Sequence, residues 1–119
     1  MNKNRNAATH LAGAGPLHAQ ALHLMALLSA GNLALELWRA EQAVVELHSI
    51  YVCKLRQYEA IHGSIKGALN PRNPEHVCII SYAMDERAAL TAARRKVYAT
   101  RRRLRTACAK AAREGAATA

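Results

Sequence analysis

Apolar positions along this chain recur every three or four residues, the period of a helix that buries one face. From Asn32 to His62 the step is kept by Leu33, Leu37, Ala40, Val44, Leu47, Tyr51, Leu55, Tyr58 and Ile61. This is a heptad-like seam and predicts a long helix. Trp38, Val45 and Val52 form a second apolar flank on the same stretch, the expected interface. Either a short N-terminal helix or a second subunit would cover it, with Trp38 as its anchor.

That short helix is expected over Pro16 to Ala30. Pro16 suits a first helical position, where no N–H is needed. Leu17, Ala21, Leu24 and Leu28 make a stripe, with Met25 and Leu27 beside it. So wide an apolar arc predicts burial on more than one side. Gly31 reads as the stop and Asn32 as the cap of the helix that follows.

Gly63 to Arg72 reads as a connection, because Gly63, Gly67, Asn70 and Pro71 all disfavour helix. Asn73-Pro74-Glu75 then combines an N-cap, a proline for the first turn and a favourable charge at the helix start. Ala, Arg, Lys and Leu dominate from Ala88 to Ala112, and Gly115 is the expected stop. Residues 76–84 are β-branched enough for a strand, but a helix continuous from Asn73 is favoured over a break near Asp85. Leu90, Ala93, Val97, Thr100, Leu104, Ala107, Cys108 and Ala111 fall in one arc, with cations around the rest.

The expected fold is therefore all-α: an antiparallel helical hairpin of two long helices plus a short N-terminal helix. Residues 1–15 read as a flexible arm, 16–114 as a single helical domain and 115–119 as a frayed tail. A register centred on the loop sets Glu36 near Arg101, Glu41 near Lys96 and Glu46 near Thr91.

Composition sharpens this picture. There is no Phe and a single Trp, so the core must come from Leu, Val, Ile and Ala. Alanine-lined helices approach closely but bury little area, which predicts help from self-association as a homodimer. The formal net charge is +9, and ten of the seventeen Lys and Arg lie between Arg87 and Arg113 with no Asp or Glu among them. Such a run repels itself and predicts an anionic partner. Three Cys at unrelated spacings are no disulfide framework and suit a reducing compartment. No unbroken apolar run reaches the roughly 20 residues of a spanning helix. His18 and His23 interrupt the faint likeness of the N-terminus to a signal peptide, so a cytoplasmic protein without membrane contact is expected.

Little in the chain supports catalysis. Gly63-Ser-Ile-Lys-Gly67 lacks the spacing and preceding strand of a phosphate-binding loop. No nucleophile sits at a strand-to-helix elbow, and Asp85-Glu86 point two ways. His62, His76 and Cys78 could converge on a metal, but structural zinc needs four ligands at tight spacings. They read instead as a solvated histidine pair and a buried thiol acting as a small hydrophobe. Neither cofactor nor metal is expected, and no enzyme.

The basic helix carries the functional expectation. Arg94, Arg95 and Lys96 form one cluster; Arg101, Arg102, Arg103 and Arg105 form another, one heptad on. Guanidinium forks bind two phosphate oxygens at once, and a row of them releases counterions from a nucleic-acid backbone. Tyr98, between the clusters, is expected to pack in the seam rather than stack on a base. The expected function is a basic accessory protein contacting the phosphates of DNA or RNA. The competing expectation is a small inhibitor or adaptor, of the kind phages and mobile elements carry, docking on an acidic surface of a host protein.

Overall fold

The computed structural model describes residues 15–118, apart from the side chain of Thr118. Among the described residues three α-helices follow one another: α1, Gly15–His62; α2, Val77–Tyr82; and α3, Met84–Thr118. A 3-10 turn at Pro74–His76 leads into α2, and no strand occurs among the described residues. The chain is all-α. Of the expected N-terminal arm only Gly15 is described, and it is the first residue of α1.

The helix expected over Pro16 to Ala30 is not a separate element. Gly31 does not stop the first helix, which runs through it for 48 residues in all. A glycine inside a helix costs only about 1 kcal/mol relative to Ala. Against that, Ala26, Ala30, Leu33 and Leu37 are buried or half-buried on either side of Gly31, at steps of four, three and four. A break at Gly31 would take half of those positions out of line. Gly115 likewise fails to end α3, which continues to Thr118.

The chain divides into two compact units, Met1–Leu37 with Thr100–Ala119, and Trp38–Ala99. In the first, α1 buries or half-buries Ala19, His23, Ala26, Ala30, Leu33 and Leu37. Its α3 segment does the same with Thr100, Leu104, Ala107, Ala111 and Glu114. Both sets alternate steps of four and three, the spacing of a coiled-coil seam. Arg103 Nη1 lies 3.4 Å from Glu36 Oε2. Further on, a Cβ placed on Gly115 would stand 3.0 Å from His23 Nε2. Numbers rise on one helix as they fall on the other, so the two segments run antiparallel. Glu36 meets Arg103 rather than the expected Arg101, two residues further along.

The seam in this unit is not the one the sequence favoured. The stripe Leu17, Ala21, Leu24 and Leu28, expected to be buried, is exposed, and the smaller Ala19, His23, Ala26 and Ala30 face α3. Side chains this small leave an open groove of about 260 Å³ beside the seam, lined by Leu22, Met25, Ala26 and Ser29 of α1 and Ala107, Lys110 and Glu114 of α3.

In the second unit the seam is Ala40, Val44, Leu47, Tyr51, Lys54 and Tyr58 on α1. It is met by Ile79 of α2, Ala83, and Glu86, Leu90, Ala93 and Val97 of α3. Lys54 Nζ lies 3.8 Å from Glu86 and 4.6 Å from the centre of the Tyr82 ring. Tyr58 packs on Tyr82 at 5.5 Å and on His62 at 4.4 Å between ring centres. These segments also run antiparallel. Ile79 and Ala83 are the least exposed apolar residues of the described chain.

The expected continuous second helix is interrupted. Ala83 has φ −106° and ψ 17°, outside helical values, and α3 restarts at Met84. The break precedes Asp85, which with Glu86 supplies the first-turn negative charge that a helix start favours.

The connection is built from local polar contacts. Gly63, at φ 94°, ends α1 with its N–H donated to the Glu59 carbonyl at 2.8 Å. That left-handed conformation is the one glycine adopts without strain. Asn73 Oδ1 accepts from the Glu75 N–H at 3.0 Å, the cap that the sequence predicts. Asn70 Oδ1 accepts from Arg72 N–H at 3.0 Å, and the Asn70 N–H donates to His76 Nδ1 at 2.9 Å. His76 is therefore not half of a solvated histidine pair. It is buried, and its ring serves as the acceptor that fixes the loop. Cys78 is also opposite to expectation: all three thiols are free and exposed.

Two outcomes follow for stability. His76→Phe fills similar space but leaves the Asn70 N–H without its acceptor, and should lower unfolding free energy by about 1–3 kcal/mol in urea titration. Ala111 is buried in its seam, so Ala111→Leu should cost about 1–3 kcal/mol through overpacking. Ala107→Leu, on the open groove, should cost clearly less in the same titration.

Candidate nucleic-acid interface

Both arginine clusters lie on α3, whose helix-forming composition needs no β-branched residue over Arg101–Arg105. The seam residues turn every third or fourth side chain inward, and the cations take the positions left over. Arg94, Arg95 and Lys96 belong to the unit Trp38–Ala99; Arg101, Arg102, Arg103 and Arg105 belong to the other. All seven are exposed. Within the first cluster Arg94 and Arg95 follow Ala93 and precede Val97, both seam positions, so neither can turn inward. Arg101, Arg102 and Arg103 fill the gap between Thr100 and Leu104 in the same way.

The clusters differ in how their charge is used. Arg103 is held by Glu36 on α1. Arg94 and Arg95 in one unit, and Arg102 and Arg105 in the other, make no side-chain hydrogen bond or ion pair with any other described residue. Arginine side chains without a protein partner keep all five donors for an outside acceptor.

Tyr98 does not pack in the seam. It is 61% exposed, one turn from Arg94 and Arg95 within the same unit. The sequence placed it at the edge of the apolar arc, and the seam of its unit takes Val97 without it. An exposed ring beside guanidinium groups is a surface on which a base can stack.

The expected interface residues are placed as follows. Trp38 and Val45 are exposed, 59% and 60%, and Val52 is half-buried. Because Pro16 to Leu37 continue the same helix, the helix expected over Pro16 to Ala30 does not fold back over it. Among the described residues no three His, Cys, Asp or Glu side chains group as metal ligands. His76 Nδ1 is already engaged by the Asn70 N–H, which removes one of the ring nitrogens that a clip with His62 and Cys78 would need.

One finding concerns α1 rather than the arginines. By length and composition α1 is apolar enough to cross a membrane, and 6% of the qualifying window is buried. The sequence has no unbroken run of that length, but His18, Gln20, His23, Ser29 and Asn32 are too few to offset the leucines between them.

No family model, no curated protein and no solved structure matches this chain.

The ion pair between Glu36 and Arg103 is exposed on both sides, and exposed pairs contribute roughly 0–1 kcal/mol. Glu36→Gln should therefore move the thermal midpoint only slightly, measured by circular dichroism. A large drop would mean that the pair fixes the register of its unit.

Proposed function

We propose that this chain is a non-enzymatic, cytoplasmic protein that binds the phosphate backbone of DNA or RNA through the exposed arginines of α3. One observation carries the reading: Arg94, Arg95, Arg102 and Arg105 are exposed and spend no donor on any described residue. Cations kept for solubility are normally interspersed with acids. Here no Asp or Glu falls between Arg87 and Arg113.

The reading takes α1 and α3 as the arms of an antiparallel hairpin. Their opposite direction within each unit supports it. An arginine row on a helix needs a rigid support, because guanidinium groups on a loose chain lose more freedom on binding. Nothing in the row matches a base-edge code, so recognition rests on charge and shape. The exposed ring of Tyr98 favours single-stranded or locally opened nucleic acid, where bases are free to stack.

Two outcomes test this. Binding of labelled single-stranded RNA, single-stranded DNA and duplex DNA, followed across a salt series, should weaken steeply as salt rises. Replacing Arg94, Arg95, Arg102 and Arg105 together by Ala should remove about four phosphate contacts and flatten the slope by about 3–4. No binding at low salt overturns the proposal and leaves the clusters as a docking surface for an acidic protein. Tyr98→Ala should cost single-stranded targets about 1–3 kcal/mol while leaving the duplex and the salt slope unchanged.

A further inference from the structure

The residues of α1 that α3 does not cover form a second apolar stripe. Within the unit Met1–Leu37 with Thr100–Ala119 it consists of Leu17, Ala21, Leu24, Leu28, Gly31 and Leu35. These positions alternate steps of four and three, as the seam toward α3 does, and no polar residue interrupts them. Leu17, Leu24 and Leu28 are 61–71% exposed. A helix with two such stripes has two packing faces, and the described residues fill only the first.

We propose that this stripe is the interface of a homodimer, with Gly31 at the closest approach of the two α1 helices. The inference does not rest on nucleic-acid binding. Three observations select the occupant.

Gly31 is the first. It lies inside a helix, where glycine is unfavourable relative to alanine. Among the described residues nothing explains it, since none of their atoms lies within 4 Å of where its Cβ would be and its φ is not positive. A second helix pressing on the stripe would use the missing side chain, as small residues at helix crossings do. Area is the second. Counting roughly 60–120 Å² for a fully exposed aliphatic side chain, the exposed Leu and Met side chains on and beside the stripe amount to about 400 Å² at the upper figure, the size of the largest apolar patch a monomer carries, which is often functional. With the usual share of polar atoms that approaches the ~800 Å² per partner of a standard interface.

Charge is the third, and it decides between a second copy and lipid. The α3 segment packed along this part of α1 carries Arg101, Arg102, Arg103 and Arg105, then Lys110 and Arg113. A bilayer surrounding α1 would have to take those cations too, which is prohibitive. The stripe itself has no charged residue to repel its own copy.

The test is sedimentation equilibrium on the full chain over a concentration series, with vesicle flotation in parallel. Wild type should fit a monomer–dimer equilibrium. The double variant Leu24→Glu/Leu28→Glu should weaken it by at least about a hundredfold, since four leucines leave the interface per dimer. Both side chains are exposed in the single chain, so helicity by circular dichroism should stay the same. Gly31 supplies the independent check. Gly31→Ala should raise helix stability yet weaken dimerisation, and Gly31→Leu should weaken it further. A wild type that stays monomeric throughout, a dimer unaffected by the two glutamates, or a monomer that floats with phosphatidylcholine vesicles through the same leucines would each overturn the proposal.

Discussion

Two helices stay side by side in water only if each third or fourth side chain finds a neighbour, and here the available side chains are mostly small. That constraint governs the rest of the molecule. On α3 the positions at alternating steps of four and three are given to Ala, Val, Leu and Thr, with Glu86 and Glu114 at the two ends, so the cations are left with nowhere to go but outward. On α1 the matching positions are filled mainly by Ala, Leu and Tyr. Hydrophobic gain scales with area, so an alanine-lined seam supplies little per residue. Length makes up part of the difference, which is why α1 continues through a glycine that would ordinarily end a short helix. At the loop end, bulkier groups take over: Ile79 is enclosed, and Tyr58, Tyr82 and Lys54 form a stacked cluster.

Much of this architecture is legible in the residues. Helical period, the absence of any competing strand pattern among long segments, and the cap at Asn73 all point to an all-helical chain. The acid at Glu36 announces its cationic partner to within two residues. What the period could not decide was which of two apolar stripes faces inward. Leu17, Leu24 and Leu28 look like core because leucine usually is core, whereas Ala19, Ala26 and Ala30 look like filler. The decision lies in the other helix: alanines at Ala107 and Ala111 permit only close approach, and close approach demands small residues opposite. A partner's shape is not written in a helix's own periodicity.

The candidate site was legible as a cluster and less so as a geometry. Arg94 to Arg105 stand out because no acid interrupts them. That Arg103 is tied to Glu36, while the side chains of Arg102 and Arg105 hold no partner among the described residues, depends on packing register and is invisible to composition. Tyr98 was misplaced for a similar reason: a tyrosine at the edge of an apolar arc packs or not according to a rotation of a few tens of degrees. His76 was read as solvated since nothing in the spacing shows that its ring would meet the Asn70 N–H six residues back in a folded loop. Loops conceal such contacts more effectively than helices do.

The alanine seam has a thermal consequence. Alanine loses no rotamer freedom on burial, so closing such an interface forgoes the side-chain entropy penalty that leucine or methionine would incur. It also exposes little apolar surface when it opens, and the heat-capacity increment of unfolding falls with that surface. A small increment flattens the curve of stability against temperature. The folded state then keeps nearly the same margin over a wide range, with neither a pronounced optimum nor a marked loss on cooling.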